Sequence, residues 1–368
     1  MKKLMVWMLL LSGFFFLDLC AQDFVIDGLN YRIISEEDKT VAVSKDYDTV
    51  TVSLTIPAYV TFNDIVYKVN TIDIFGFGRV YKLSNVSLPE TLDTLKDRAF
   101  GGQLFNLEEI VIPSSVKFLG NGAFANCIHL KRIVLPENIQ YIGNECFRMC
   151  FQLDSVIIKK GVTYGEKVYE FCDSIKTIII EEGVTSIPDY MFNNSSQELV
   201  KYPTPVEEIV FPESVDTIGR NAFAKSKLKT LKLPSCKVMR KDAFYFCRWL
   251  KTITFGSRVE YVNQGAFGRC DSLKTIYCEG TVPPKEGLYK AGVTLHVPKG
   301  YKEIYAQTDN WARYGDNIVD DIELSGIHNA QLKTQDSDAP TYDLQGRRVE
   351  NPKQGEIYIQ NGKKYINK

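Results

Sequence analysis

Hydrophobic positions along this chain fall into short alternating triplets, not long stripes. The triplets run Val86-Ser87-Leu88, Ile110-Val111-Ile112, Ile133-Val134-Leu135, Val156-Ile157-Ile158 and Ile178-Ile179-Ile180. They continue as Ile209-Val210-Phe211, Leu231-Lys232-Leu233, Ile253-Thr254-Phe255 and Ile276-Tyr277-Cys278. Alternation of this kind predicts a strand that buries its outer two residues and exposes the middle one. Proline often closes the run, as at Pro89, Pro113, Pro136, Pro212 and Pro234, because it has no N–H for a ladder. An aliphatic precedes most triplets by three residues, for example Leu107, Leu130, Leu153, Leu228, Leu250 and Leu273.

A second anchor keeps the same phase. Phe77, Phe100, Phe124, Phe147, Phe171, Phe192, Phe223, Phe244 and Phe267 recur in steps of 21 to 24 residues, with one step of 31. The long step holds Asn193 to Pro205, a polar stretch that reads as a loop insertion. The unit is L-x-x-I-x-L-P, a turn, V-x-x-I-G, then A-F-x-x-C-x-x-L. Gly120, Gly143 and Gly219 permit the turn. One such unit cannot bury its own apolar face, but stacked units can. The predicted fold is therefore a repeat solenoid of the leucine-rich type, with a strand and a short helical or irregular segment per coil of about 23 residues. At a strand spacing of about 4.8 Å, nine coils give an array roughly 40 Å long. Two coils depart from the pattern. Lys159 and Glu181 replace the proline, and Val168 to Phe171 lacks the Ala-Phe pair, so both are expected to be looser.

The flanks read differently. Lys2 and Lys3, the uncharged stretch Leu4 to Leu17 and then Leu19-Cys20-Ala21 predict an export leader over 1–21. Cleavage after Ala21 and lipid attachment at Cys20 both remain open. Residues 22–75 form a β-rich cap, 76–320 the solenoid with a closing coil, 321–340 a polar linker and 341–368 a C-terminal β module. Asn361-Gly362 between alternating runs predicts a hairpin in that module.

The repeat resembles the BspA-type leucine-rich repeat of bacterial surface proteins. The resemblance spans roughly residues 23 to 320. It takes in a cap at Phe24 to Tyr67 and a closing coil at Leu295-His296-Val297-Pro298-Lys299-Gly300 followed by Trp311. The tail resembles short C-terminal β modules of secreted proteins from anaerobic gut and oral bacteria, some of which are sorting signals. A plain capping role for the tail stays open. The resemblance implies a cell-surface or extracellular protein that binds proteins, as in adhesion to host matrix or to other cells.

Charge narrows the partners. The 368 residues carry 44 basic and 45 acidic side chains, for a formal net charge of −1. No overall basic excess points to nucleic acid, and no polybasic block points to anionic lipid. No later segment is apolar enough for a membrane span in the mature chain. Cys127, Cys150, Cys247 and Cys270 share one repeat position without C-x-x-C spacing. They read as small core residues rather than metal ligands, although Cys127–Cys150 and Cys247–Cys270 are within a plausible disulfide register. The three histidines are scattered, and no nucleophile elbow or phosphate-cradling glycine loop occurs. No enzyme, cofactor or metal is therefore expected.

The candidate site is the solvent face of the triplets. Val111, Val134, Ile157, Ile179 and Val210 should form an apolar stripe about 20 Å long. Glu109, Arg132, Thr177 and Glu208 would border it, and Tyr277 lies farther along the same column. Such a patch is a candidate protein contact. A glycan-binding accessory of a polysaccharide uptake system, or a plain surface spacer, are the alternatives.

Overall fold

A computed structural model describes residues 23–194, 205–324, 341–343, 348–350, 352–353, 357–360 and 363–366. The expected leader, most of the loop insertion, nearly all of the linker and the Asn361-Gly362 turn lie outside the described residues.

Each coil contributes two short parallel strands joined by turns. One wall carries the predicted triplets, for example Glu109–Val111, Arg132–Val134, Ser155–Ile158 and Thr177–Ile180. The other wall carries two-residue strands such as Thr94–Leu95, Phe118–Leu119 and Tyr141–Ile142, which pair in parallel from coil to coil. The helical segment considered for each coil is a turn instead. Among the described residues, helix is confined to the closing coil, at Lys302–Ala306 and Trp311–Asn317.

The core runs along the axis and is built around one aromatic column. Phe77, Phe100, Phe124 and Phe147 stack with centroids 5.5 Å apart. Tyr169, not Phe171, continues the column, 5.3 Å from Phe147 and 5.4 Å from Phe192. Val168-Tyr169 is thus the Ala-Phe pair in altered form. Phe171 instead lies under the Arg148 guanidinium, 5.1 Å from its ring centre.

The cysteines follow from the same geometry. Cys127, Cys150, Cys247 and Cys270 each direct Sγ at the carbonyl of the column phenylalanine one coil earlier, at 3.3–3.5 Å. Cys172 does the same to Phe147 at 3.1 Å, a position hidden by the misplaced phase. All eight described cysteines are free and buried. Burial pushes the Cys127 thiol up to about 12. Thiolate is the reactive form, so the folded protein should react with a disulfide reagent at least ~100-fold slower than the urea-unfolded chain. Rapid labelling of several thiols without denaturant would contradict this packing.

The expected looseness of the two proline-free coils is not observed. Ser155–Ile158 and Thr177–Ile180 pair along their whole length. The reason is the N–H that proline lacks: Glu181 donates its backbone N–H to the Ile158 carbonyl at 2.9 Å. Lys159 donates its own to the Tyr164 hydroxyl at 2.8 Å.

A polar ladder stitches the turns. The Asp97 carboxylate accepts the Asn121 N–H, the Asn121 amide oxygen accepts that of Asn144, and Asn144 accepts that of Glu166, at 2.7–2.9 Å. The glycine before each asparagine lets the coils close up. A Cβ on Gly143 would sit 2.6 Å from the Asn121 nitrogen.

Both ends are sealed. At the N-terminal end, Phe24 stacks on Phe62 and Tyr31 at 4.1 and 5.3 Å. The cap strands Asp23–Ile26, Leu29–Ser35, Thr40–Ser44 and Ile65–Ile72 run directly into the turn-wall sheet of the solenoid. At the other end Ile318–Ile322 pairs with Thr294–Pro298, and Trp311 fills the last coil. Beyond it, Thr341–Tyr342, Arg348–Val349, Ile357–Gln360 and Lys363–Ile366 form a four-stranded antiparallel sheet.

Candidate functional site

The triplet strands hold the candidate residues in register, because parallel pairing sets like positions side by side. Val111 faces Val134 and Glu109 faces Arg132. Ile157, Ile179 and Val210 are consecutive partners, bordered by Ser155, Thr177 and Glu208. Lys232, Thr254, Tyr277 and His296 continue the column.

Exposure along this column is uneven. Val111 is 78% exposed and Val134 39%. Ile157, Val210, Thr177 and Tyr277 are half-buried, and Glu109 and Glu208 are exposed. Ile179 departs from the expectation. It is only 5% exposed, although its neighbours Ile178 and Ile180 are the ones that point into the core cluster. In the C-terminal sheet, burial and the Glu208 charge push the Tyr342 phenol up. Tyr358 and Ile359 of the same sheet are buried outside the main core cluster. The stripe is open at its N-terminal part, at Val111 and Val134, and buried at Ile179 in its middle.

The open part is larger than the triplet series suggests. Ser53–Thr55, within the cap, pairs in parallel with Asn85–Ser87 and extends the same wall. The signal was present as Ser53-Leu54-Thr55-Ile56-Pro57, which repeats the strand-then-proline pattern. Together with Glu109 and Val111 these strands line an open depression of about 240 Å³. Arg132 is half-buried beside it, and its Nε is buried with no hydrogen-bond partner. Farther along, the Tyr277 ring stacks on His296 at 4.6 Å, and His296 Nδ1 meets Asp321 at 2.9 Å. His129 Nδ1 meets the Gln152 amide at 3.1 Å. Among the described residues no group of three or more His, Cys, Asp or Glu is placed to hold a metal ion.

Two walls of short parallel strands around an aliphatic and aromatic core define a leucine-rich repeat solenoid. The chain belongs to the family described as BspA type leucine rich repeat region, whose pattern matches in six copies over residues 59–165, 103–209 and 201–284. No curated protein matches it. Among solved structures, it is similar to a leucine-rich repeat protein from Bacteroides ovatus, with 24% identity, a TM-score of 0.57 and coverage of 75% of this chain and 76% of that one. A T. pallidum leucine rich repeat protein gives 18% identity, a TM-score of 0.46 and coverage of 62% and 91%. The pneumococcal vaccine antigen PcpA gives 20%, 0.37, and 82% and 99%. Among the described residues no helix is long and apolar enough to cross a membrane.

Proposed function

We propose that the chain is an exported, surface-displayed scaffold that binds an extracellular protein through the open N-terminal part of its strand wall, and that it is not an enzyme. The observation that carries this reading is the pair Val111 and Val134, exposed side by side. Exposed apolar surface rimmed by polar groups is characteristic of protein contact sites. Glu109, exposed, and Arg132, half-buried beside it, supply the polar rim. The leader-like start at Lys2 to Ala21 supports export. Host matrix or cell-surface proteins are the partners this placement favours.

The test is a binding panel of immobilised matrix and serum proteins against residues 22–368. Val111→Asp with Val134→Asp should weaken a saturable protein hit by at least ~10-fold, about 1.4 kcal/mol. The thermal midpoint should hold, since both side chains face solvent. Wild-type affinity in the double variant would remove this wall as the site.

A further inference from the structure

The overall neutrality of the chain hides a local segregation of charge. The residue after the buried aliphatic of each coil is, in order, Glu108, Lys131, Asp154, Lys176, Glu207 and Lys229. Signs alternate, and neighbours pair across coils: Lys131 Nζ lies 2.6 Å from Glu108, and Lys229 Nζ 2.7 Å from Glu207. After Lys229 the alternation fails. The next two residues in the column are Lys251 and Lys274, stacked through Lys251 N–H to the Lys229 carbonyl at 2.8 Å and Lys274 N–H to the Lys251 carbonyl at 3.0 Å. Like charges one coil apart, about 4.8 Å in backbone spacing, repel rather than stabilise.

The turns leading into these strands add to the imbalance. Arg248 lies 3.9 Å over the Phe246 ring centre, with Lys225 Nζ on the same ring at 5.9 Å. Lys227 Nζ is 6.0 Å from the ring centre of Trp249, which is 41% exposed. Arg269 is exposed one coil on. The acids that meet this ridge are Glu207, on Lys229, and Asp271, 3.9 Å from Arg248. On the opposite, turn wall these cations each meet a carboxylate instead: Lys237 and Arg258 share Asp216, and Arg240 meets Asp189. Burial and the Arg248 charge hold the Lys225 ammonium below the usual lysine value, as expected where positive charge is under-compensated.

We propose that this ridge, from Lys225 to Lys274, binds an acidic polysaccharide. Its carboxylates or sulfates would lie on the lysine column, and a sugar ring would lie on Trp249. A stack of cations, one per coil, favours a linear polyanion running along the solenoid axis. Duplex DNA is a poor match, because its phosphates wind around a helix axis, one per about 3.4 Å of axis on each strand, whereas the lysines stack in one column at a coil rise of about 4.8 Å. Single-stranded nucleic acid needs successive open ring faces for successive bases. Here Phe246 is already covered by Arg248, which leaves Trp249 as the platform.

Heparin is the probe, with neutral dextran and an oligothymidylate as the other arms, measured on residues 22–368 at several salt concentrations. The wild type should bind heparin and not dextran, with affinity falling as salt rises. Lys251→Gln with Lys274→Gln should cost about 10-fold and Trp249→Ala about 5-fold, within the range of lost phosphate-type contacts and of one stacking face. Lys237→Gln with Arg258→Gln, on the other wall, should change affinity less than about 2-fold. Unaltered heparin affinity in the first two variants, or an equal loss in the control, would overturn the proposal. So would tighter binding of oligothymidylate than of heparin. Unchanged melting temperatures in each variant would show that the losses are not unfolding.

Discussion

Phe147→Ala should lower the unfolding free energy by about 3–5 kcal/mol, the range for an aromatic deleted from a close-packed core. Phe147 has no solvent exposure and sits between Phe124 and Tyr169, 5.5 and 5.3 Å away with rings within 8° of parallel. Deleting it removes its burial and leaves a cavity, and it also breaks two stacking contacts worth about 0.5–1.5 kcal/mol each beyond area. Position matters as much as size. In a solenoid each coil contacts only its neighbours, so stability is a chain of nearest-neighbour couplings. Phe147 sits mid-array, and its loss should separate the cap-side coils from the closing-side coils. Urea unfolding followed by circular dichroism should therefore show an earlier midpoint and a broadened or two-step transition. A loss under about 1 kcal/mol with a single sharp transition would mean that the column does not couple the coils.

Trp311→Ala should be comparably costly, at about 3–5 kcal/mol, through a different mechanism. The indole is fully buried against the last coil, edge-on to Phe255 and Tyr305 at 6.4 and 6.0 Å. Its Nε1–H donates to the Pro284 carbonyl at 2.7 Å. The fit depends on Gly287, where a Cβ would lie 2.5 Å from the indole. Removing the indole leaves the carbonyl unpaired and opens the apolar end of the array. Terminal repeats protect that end from water and from other molecules. The alanine variant should melt earlier and aggregate on heating. Trp311→Phe keeps most of the packing and loses the hydrogen bond, so it should cost about 1–2 kcal/mol less than alanine. Equal stability of the alanine variant and the wild type would mean that the closing coil is dispensable.

Much of this architecture is legible in the sequence because each repeat position has one environment. A buried Ile110 or Leu130 recurs wherever its coil needs it, and repetition averages out local exceptions. The misreading at Phe171 arose where two aromatics two residues apart both suited the spacing. Only the stacked rings distinguish Tyr169, whose hydroxyl the core tolerates without a hydrogen-bond partner. The turn wall was half visible: the aliphatics at Leu119 and Ile142 were evident, but two-residue strands are too short to leave a period. The side-chain ladder through Asn121 and Asn144 was missed because asparagine after glycine reads as an ordinary turn.

The candidate site was less legible. Alternation within Thr177–Ile180 does point Ile179 outward, as read. Its burial, at 5% exposure, is not encoded by that local pattern. The extension of the open face through Leu54 lay inside the segment assigned to the cap. The basic ridge stayed hidden for a simpler reason. Net charge sums over all coils, whereas a partner meets a few of them.

The most direct test of the central reading is amide hydrogen exchange on residues 22–368, free and saturated with a protein captured in the binding panel. The account predicts slowed exchange in Glu109–Val111 and Arg132–Val134, with the adjoining Ser53–Thr55 and Asn85–Ser87, and little change on the turn wall. Protection confined to the turn wall or to the ridge from Lys225 to Lys274, with the Val111 strand unaffected, would contradict it.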